Sequence, residues 1–235
     1  MTLFALSGFL GLPSDWDFFP IDHIHPVDWQ QFLSNSMVEW GAEFNQWALS
    51  RQNQLNFLMG YSLGGRLALH ALIANPQLWK AAIIVSAHPG LKHPSEKEMR
   101  INNDEIWSHR FLTEDWETLM AGWNGQAVFA NANFSFDRKE PGYSRKCLSQ
   151  AILNYSLGIQ DDLSIKIKSL PMPILWMTGS LDTRYCTEGE KLQFSHPLSK
   201  FIKIEGSGHR APWQKQQDFI QCVKNFVKGV YEWRS

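Results

Sequence analysis

Cysteine is scarce: the chain has three, Cys147, Cys186 and Cys222, and no C-x-x-C pair. That pattern excludes a disulfide framework and a thiolate zinc site, and it suits reduced thiols in a cytoplasmic protein. Net charge is nearly nil, with 22 Lys+Arg against 23 Asp+Glu. The totals therefore give no electrostatic support to nucleic-acid binding. No apolar run approaches the length needed to cross a bilayer. The start, Met1-Thr2-Leu3-Phe4-Ala5-Leu6, has neither the basic beginning nor the apolar length of a signal peptide. No internal repeat or low-complexity tract is visible. What remains is a chain of 235 residues, enough for one substantial core. The expectation is a soluble cytoplasmic protein acting on a small molecule, with neither nucleic acid nor membrane as partner. Its oligomeric state is left open.

Aromatic rings, by contrast, are abundant: 11 Trp, 15 Phe and 5 Tyr. Such a supply serves a core and also suits a cavity with apolar walls. Apolar runs ending in turn signals predict buried parallel strands at Leu3–Leu6, Leu55–Met59, Ala81–Ser86, Ile174–Thr178 and Phe201–Ile204. Helical spacing predicts helices at Val38–Leu49, Leu63–Ala74 and Phe219–Tyr231. Strands alternating with helices imply a mostly parallel, doubly wound α/β sheet. Residues 88–165 break that rhythm, being polar, Trp-bearing and helical in character. They are expected to form a helical cap inserted into a core made of residues 1–87 and 166–235.

Gly60-Tyr61-Ser62-Leu63-Gly64 stands between a predicted strand and a predicted helix. In that context Gly-x-Ser-x-Gly has the pattern of a nucleophile elbow, and an α/β-hydrolase fold is expected. A serine hydroxyl is a weak nucleophile and must project clear of the sheet toward a base. A sharp strand-to-helix turn achieves that at the cost of backbone strain, and the flanking glycines leave room where chains crowd. A phosphate loop is excluded, because no Gly-Lys-Ser/Thr follows.

In this fold the chain order is Ser, acid, His. Asp182 follows the strand Ile174–Thr178 and is the expected acid, which would fix the imidazole tautomer. Asp161 and Asp162 compete poorly, since no strand precedes them. Only His196 and His209 come after Asp182, and the glycines of Gly206-Ser207-Gly208 favour His209. The predicted triad is Ser62, Asp182 and His209. An oxyanion hole needs two backbone N–H donors, and these are expected from Phe9 and Leu63. His23-Ile24-His25 is only a weak lead toward a metal. No metal and no cofactor is expected.

Several segments make the chain resemble the MenH family, the 2-succinyl-6-hydroxy-2,4-cyclohexadiene-1-carboxylate synthases of menaquinone biosynthesis, which are α/β hydrolases. They are Gly60–Arg66, His88-Pro89-Gly90-Leu91, Trp107–Glu114, Trp123 with Gln126–Ala130, and Gly206–His209. The resemblance implies a lyase whose triad serine acts as a base and eliminates pyruvate from an enolpyruvyl carboxylate. It also implies arginines that hold carboxylates, at Arg66 and Arg110, and pocket residues at Tyr61 and Trp123. Arg145 is a third cation it offers. The chain departs from the family at Ser7-Gly8, where His-Gly is usual, and at Asn124, where Tyr is frequent. It also lacks the usual leading β-hairpin.

Two other readings stand beside the lyase. The same triad would serve a carboxylic ester or thioester hydrolase, such as a carrier-protein methyl esterase. A non-catalytic binding protein on the same scaffold is the third, since fold alone never sets function.

Overall fold

The computed structural model describes residues 2–20, 24–51 and 56–233. Six strands form one sheet: β1 (Thr2–Leu6), β2 (Ile24–Val27), β3 (Asn56–Tyr61), β4 (Ala81–Val85), β5 (Ile174–Gly179) and β6 (Lys200–Ile204). Their order is β2-β1-β3-β4-β5-β6, and every neighbouring pair is parallel. The helices in chain order are α1 (Met37–Leu49), α2 (Leu63–Ala74), α3 (Pro94–Thr113), α4 (Trp116–Asn124), α5 (Arg145–Asn154), α6 (Ser164–Lys168), α7 (Thr183–Lys191), α8 (Ala211–Gln214) and α9 (Gln216–Glu232). None of them is long and apolar enough to cross a membrane.

The expected strands are present within a residue or two, although Leu55 lies outside the described residues. The strand β2 has no counterpart among the expected strands. It succeeds because it has four residues and sits at the sheet edge, where Pro26 faces Ala5 without breaking a central ladder. Around it the chain turns tightly through 3-10 segments at Pro13–Trp16 and Trp29–Phe32.

Alternate residues of the central strands feed two cores, which is why those strands read as continuous apolar runs. Phe4 and Leu6 face α1 and α2, while Leu3 and Ala5 face α9 and Trp213. The stripe Phe219, Val223, Phe226, Val227 and Val230 of α9 is buried on the second face. Most of the aromatic excess goes into these cores rather than into a cavity. Trp16, Trp29, Trp40 and Trp176 are wholly buried. Phe44 stacks on Trp40 at 4.8 Å and on Trp79 at 5.7 Å between ring centroids.

Between β4 and β5 the described chain has helices and no strand. Helices α3, α4 and α5 share a third cluster around Trp107, Phe111, Leu119 and Leu148, which also takes in Leu10 from the loop after β1. This third cluster therefore meets the carboxyl ends of the strands. The chain reverses its winding at β1, with β2 on one side and β3 on the other. In open parallel sheets the crevice at that switch point is where ligands bind.

Phe44 has no exposed surface and carries much of the stacking between α1 and the sheet. Phe44→Ala is expected to cost about 3–5 kcal/mol. Urea unfolding reads this as a lower midpoint at unchanged slope.

Candidate active site

At the carboxyl end of β3 the chain must turn sharply into α2, and Ser62 takes the strain. Its φ is 53° and its ψ −115°, a region that costs a non-glycine residue about 1–3 kcal/mol. The turn is held on both sides: the Ser62 amide donates to Val85 O at 2.9 Å, and the Arg66 amide donates to Ser62 O at 3.1 Å. A Cβ on Gly60 would run into the backbone of Gly64, and one on Gly64 would run into the Leu6 and Ser7 carbonyls. The crowding explains why both positions are glycine.

Two further loops bring their side chains to this serine. Asp182 follows β5 at the start of α7, and His209 follows β6 through Gly206, whose φ is 67°. His209 Nδ1 lies 2.7 Å from Asp182 Oδ2, and His209 Nε2 lies 3.1 Å from Ser62 Oγ. His209 and Asp182 are buried. The three expected residues thus form one continuous hydrogen-bonded line. The rival candidates are engaged elsewhere. His196 accepts from the Leu198 amide and packs on Trp233. Asp162 accepts from the amide and the hydroxyl of Ser164 at the start of α6.

Phe9 and Leu63 border the same cavity as Ser62. Neither backbone N–H makes a hydrogen bond to another described residue. Leu63 is the first residue of α2, so its N–H has no partner in the helix. The loop bearing Phe9 is tied down. Ser7 Oγ donates to Leu12 O at 3.0 Å, and the Trp29 indole donates to Gly8 O at 3.3 Å. Ser7 therefore fastens this loop.

The cavity has a volume of about 760 Å³, within the range of small-molecule sites. Phe9, Trp107, Trp123 and Phe129 form one wall, and Arg66, Arg100 and Arg184 add positive charge. Arg66 is buried. Its Nε donates to Gln160 Oε1 and its Nη2 to Tyr155 O, both at 2.7 Å. These partners are neutral, and Nη1 has no partner among the described residues. Burial, with added repulsion from Arg100, pushes Arg66 down to about 9, which leaves it charged at neutral pH. A desolvated cation without a counter-charge favours an anionic ligand. Arg100 holds Asp104 through Nε, at 2.9 and 2.8 Å.

Some expected residues stand apart from this cavity. Arg110 does not border it. Its Nε donates to Glu114 at 2.6 Å, and its guanidinium lies 4.0 Å over the Trp107 ring, so it supports a wall residue from behind. Arg145 is bound to Glu140, Phe111 O and Glu114 O. Tyr61 is buried against Trp213 at 4.7 Å and borders a separate small cavity. Trp123 does line the main cavity, 4.9 Å from Phe9.

Arg100, Arg184 and Gln160 were not anticipated. Arg100 lies two helical turns before Trp107 in α3 and so shares its face, a spacing visible in the sequence. Gln160 carried no local signal. It donates to Pro89 O at 2.9 Å while receiving Arg66, which links the His88-Pro89-Gly90 segment to the cation.

No group of His, Cys, Asp and Glu among the described residues could hold a metal. His25 packs on Phe4 and Trp47, while His23 lies outside the described residues. The three cysteines are unpaired.

A family model described as "Putative esterase" matches residues 23–197, well over half of the chain. The chain belongs to this esterase family. The matched span contains Ser62 and Asp182, and His209 lies beyond it. The chain is 28% identical over 252 residues to the 2-succinyl-6-hydroxy-2,4-cyclohexadiene-1-carboxylate synthase of Pectobacterium atrosepticum, covering 96% of this chain and 93% of that protein. It is also 28% identical over 177 residues to the protein of the same name from Serratia proteamaculans, covering 73% and 67%. Among solved structures, MenH from S. aureus superimposes with a TM-score of 0.88 at 19% identity, covering 99% of this chain and 95% of that one. A thermophilic esterase from Thermogutta terrifontis gives 0.69 at 15%, covering 98% and 90%. The α/β-hydrolase fold follows from these likenesses.

His88 and His70 are held neutral by burial, each pushed down to about 4, with Arg184 beside His88 and Arg66 beside His70 adding to the effect. Their folded values lie below the ordinary 6.5, so the unfolded chain binds the extra protons between the two. Stability is full above about 6.5 and falls as pH drops toward about 4, by up to about 1.4 kcal/mol per unit for each group. Urea unfolding at about pH 7 and about pH 5 tests this. His70→Gln is expected to lose less stability on acidification than the unaltered protein.

Proposed function

We propose that this esterase-family protein is a MenH-type lyase, which eliminates pyruvate from an enolpyruvyl carboxylate with Ser62, His209 and Asp182 as its catalytic residues. The observation that carries the reading is the pairing of a serine–histidine–aspartate line with a cavity bearing three guanidinium groups. Relatives that match nearly the whole chain carry the name of that synthase, which supports the same reading.

The residues divide the chemistry as follows. Asp182 holds the imidazole with Nε2 toward the serine. His209 accepts the Ser62 proton, and the serine oxygen takes a proton from the substrate ring. The electron pair left on carbon expels the enolpyruvyl oxygen, and His209 returns its proton to that leaving group. No proton is gained or lost over the cycle, and no acyl-enzyme forms. The Phe9 and Leu63 amides stabilise negative charge growing on a substrate oxygen. Arg66 and Arg100 bind carboxylates and so orient the ring over Ser62. In this reading residues 88–165 act as a cap that supplies Arg100, Trp107 and Trp123. The setting is the cytoplasm.

Ester or thioester hydrolysis is the second reading. The aromatic wall of Phe9, Trp107, Trp123 and Phe129 and the family match favour it. There Ser62 would attack the carbonyl and form an acyl-enzyme. Supplying the enolpyruvyl substrate and assaying pyruvate separates the two. No pyruvate from folded protein, together with an acylated Ser62 from short esters, overturns the lyase.

Ser62→Ala removes the base and is expected to lower kcat by about 10²–10⁴-fold with little change in melting temperature. Arg66→Gln is expected to raise KM for the carboxylate substrate by about tenfold or more, as for loss of a charge-assisted hydrogen bond. Arg110→Ala is expected to leave KM within about twofold, because the side chain does not reach the cavity. Steady-state kinetics on the three variants checks each outcome.

A further inference from the structure

A second, smaller cavity of about 50 Å³ also touches Ser62 and is not lined by Arg66. It has room for a carboxylate group or a few waters, not for a whole substrate. Ser62, Gly8 and Tyr61 border it, together with Asn124, Arg138 and Arg210. Ser62 borders both cavities, so a group bound here sits against the reacting oxygen.

The charges around this space do not cancel. Arg138 is matched by Asp15 through two bonds of 2.7 and 2.6 Å. Arg210 is only 6% exposed and has no carboxylate within ion-pairing distance among the described residues. Its Nη1 donates to Phe134 O at 2.7 Å and its Nη2 to Asn124 Oδ1 at 2.5 Å. Its plane lies 4.0 Å over the Phe129 ring. All three partners are neutral. A buried cation served only by dipoles is costly unless an anion joins it. Asn124 is also the position where the chain departs from the Tyr frequent in the family it resembles. The asparagine oxygen orients the guanidinium without neutralising it, and Asn124 is itself fixed by donating to Met120 O at 2.9 Å.

We propose that this second cavity is a subsite for one small carboxylate, with Arg210 as its cation and Asn124 as the residue that aims it. Under the elimination reading, on which this clause rests, the occupant is the carboxylate of the departing three-carbon acid. The arginines of the main cavity then serve the carboxylates that stay with the ring. Binding of a free carboxylate does not depend on that reaction.

The experiment titrates pyruvate, and methyl pyruvate as its uncharged twin, into the whole protein by calorimetry or saturation-transfer NMR. Pyruvate is expected to bind in the millimolar range, with methyl pyruvate about tenfold or more weaker. Asn124→Asp places a carboxylate of the same size on Arg210 and is expected to weaken pyruvate binding by about tenfold or more. Arg210→Gln is expected to do the same, while Arg110→Ala, at a side chain that borders neither cavity, leaves pyruvate binding within about twofold. Equal binding of pyruvate and its methyl ester overturns the proposal without any variant. So does no detectable pyruvate binding, an Asn124→Asp protein that binds as before, or loss of binding in Arg66→Gln alone. Binding lost in Asn124→Asp but absent from any pyruvate-releasing activity sinks the lyase and keeps the subsite.

Discussion

The site depends on a backbone held where an L-residue resists going. Ser62 sits at φ 53° because β3 must give way to α2 within a single residue. The strain is held by what surrounds it: a sheet hydrogen bond from Val85 O, a helix turn that starts on Ser62 O, and glycine contacts that admit no other side chain. That conformation lifts the hydroxyl off the sheet and leaves the Leu63 amide unbonded beside it. The projecting Ser62 hydroxyl and the unbonded Leu63 amide beside it are therefore consequences of one turn.

Everything else at the site is brought to that turn by parallel strands. The loops after β1, β5 and β6 deliver Phe9, Asp182 and His209 to the same sheet edge. Each arrives held by its own fastening: Ser7 on Leu12, the Asp182 carboxylate on the imidazole, and Gly206 at the bend before His209.

The helices between β4 and β5 decide what the serine meets. They contribute Trp107, Trp123 and Arg100, and the chain behind them contributes Gln160, which positions Arg66. The result is asymmetric electrostatics. Two buried guanidinium groups, Arg66 and Arg210, border the two cavities that meet at Ser62, both served by neutral partners, while Asp104 and Asp15 are paired with Arg100 and Arg138. Such a field suits a substrate with more than one carboxylate better than a simple apolar ester.

Local pattern was enough to determine the parallel α/β class, five of the six described strands, three of the nine described helices, and the three residues of the serine–histidine–aspartate line. Strand-then-turn signals and chain order are properties of neighbouring residues, and those survive without coordinates. The short strand β2 escaped because pairing at an edge, rather than propensity, makes Ile24–Val27 extended. Tertiary structure alone decided which cations line the cavity. Arg110 and Arg100 lie on one helix, ten positions apart, yet only Arg100 turns to the cavity, while Arg110 spends its guanidinium on Glu114 and Trp107. The same holds for Arg210, whose lack of a counter-charge depends on residues 76 and 86 positions away. A charge's partners are set by packing across the chain, and no local spacing encodes them.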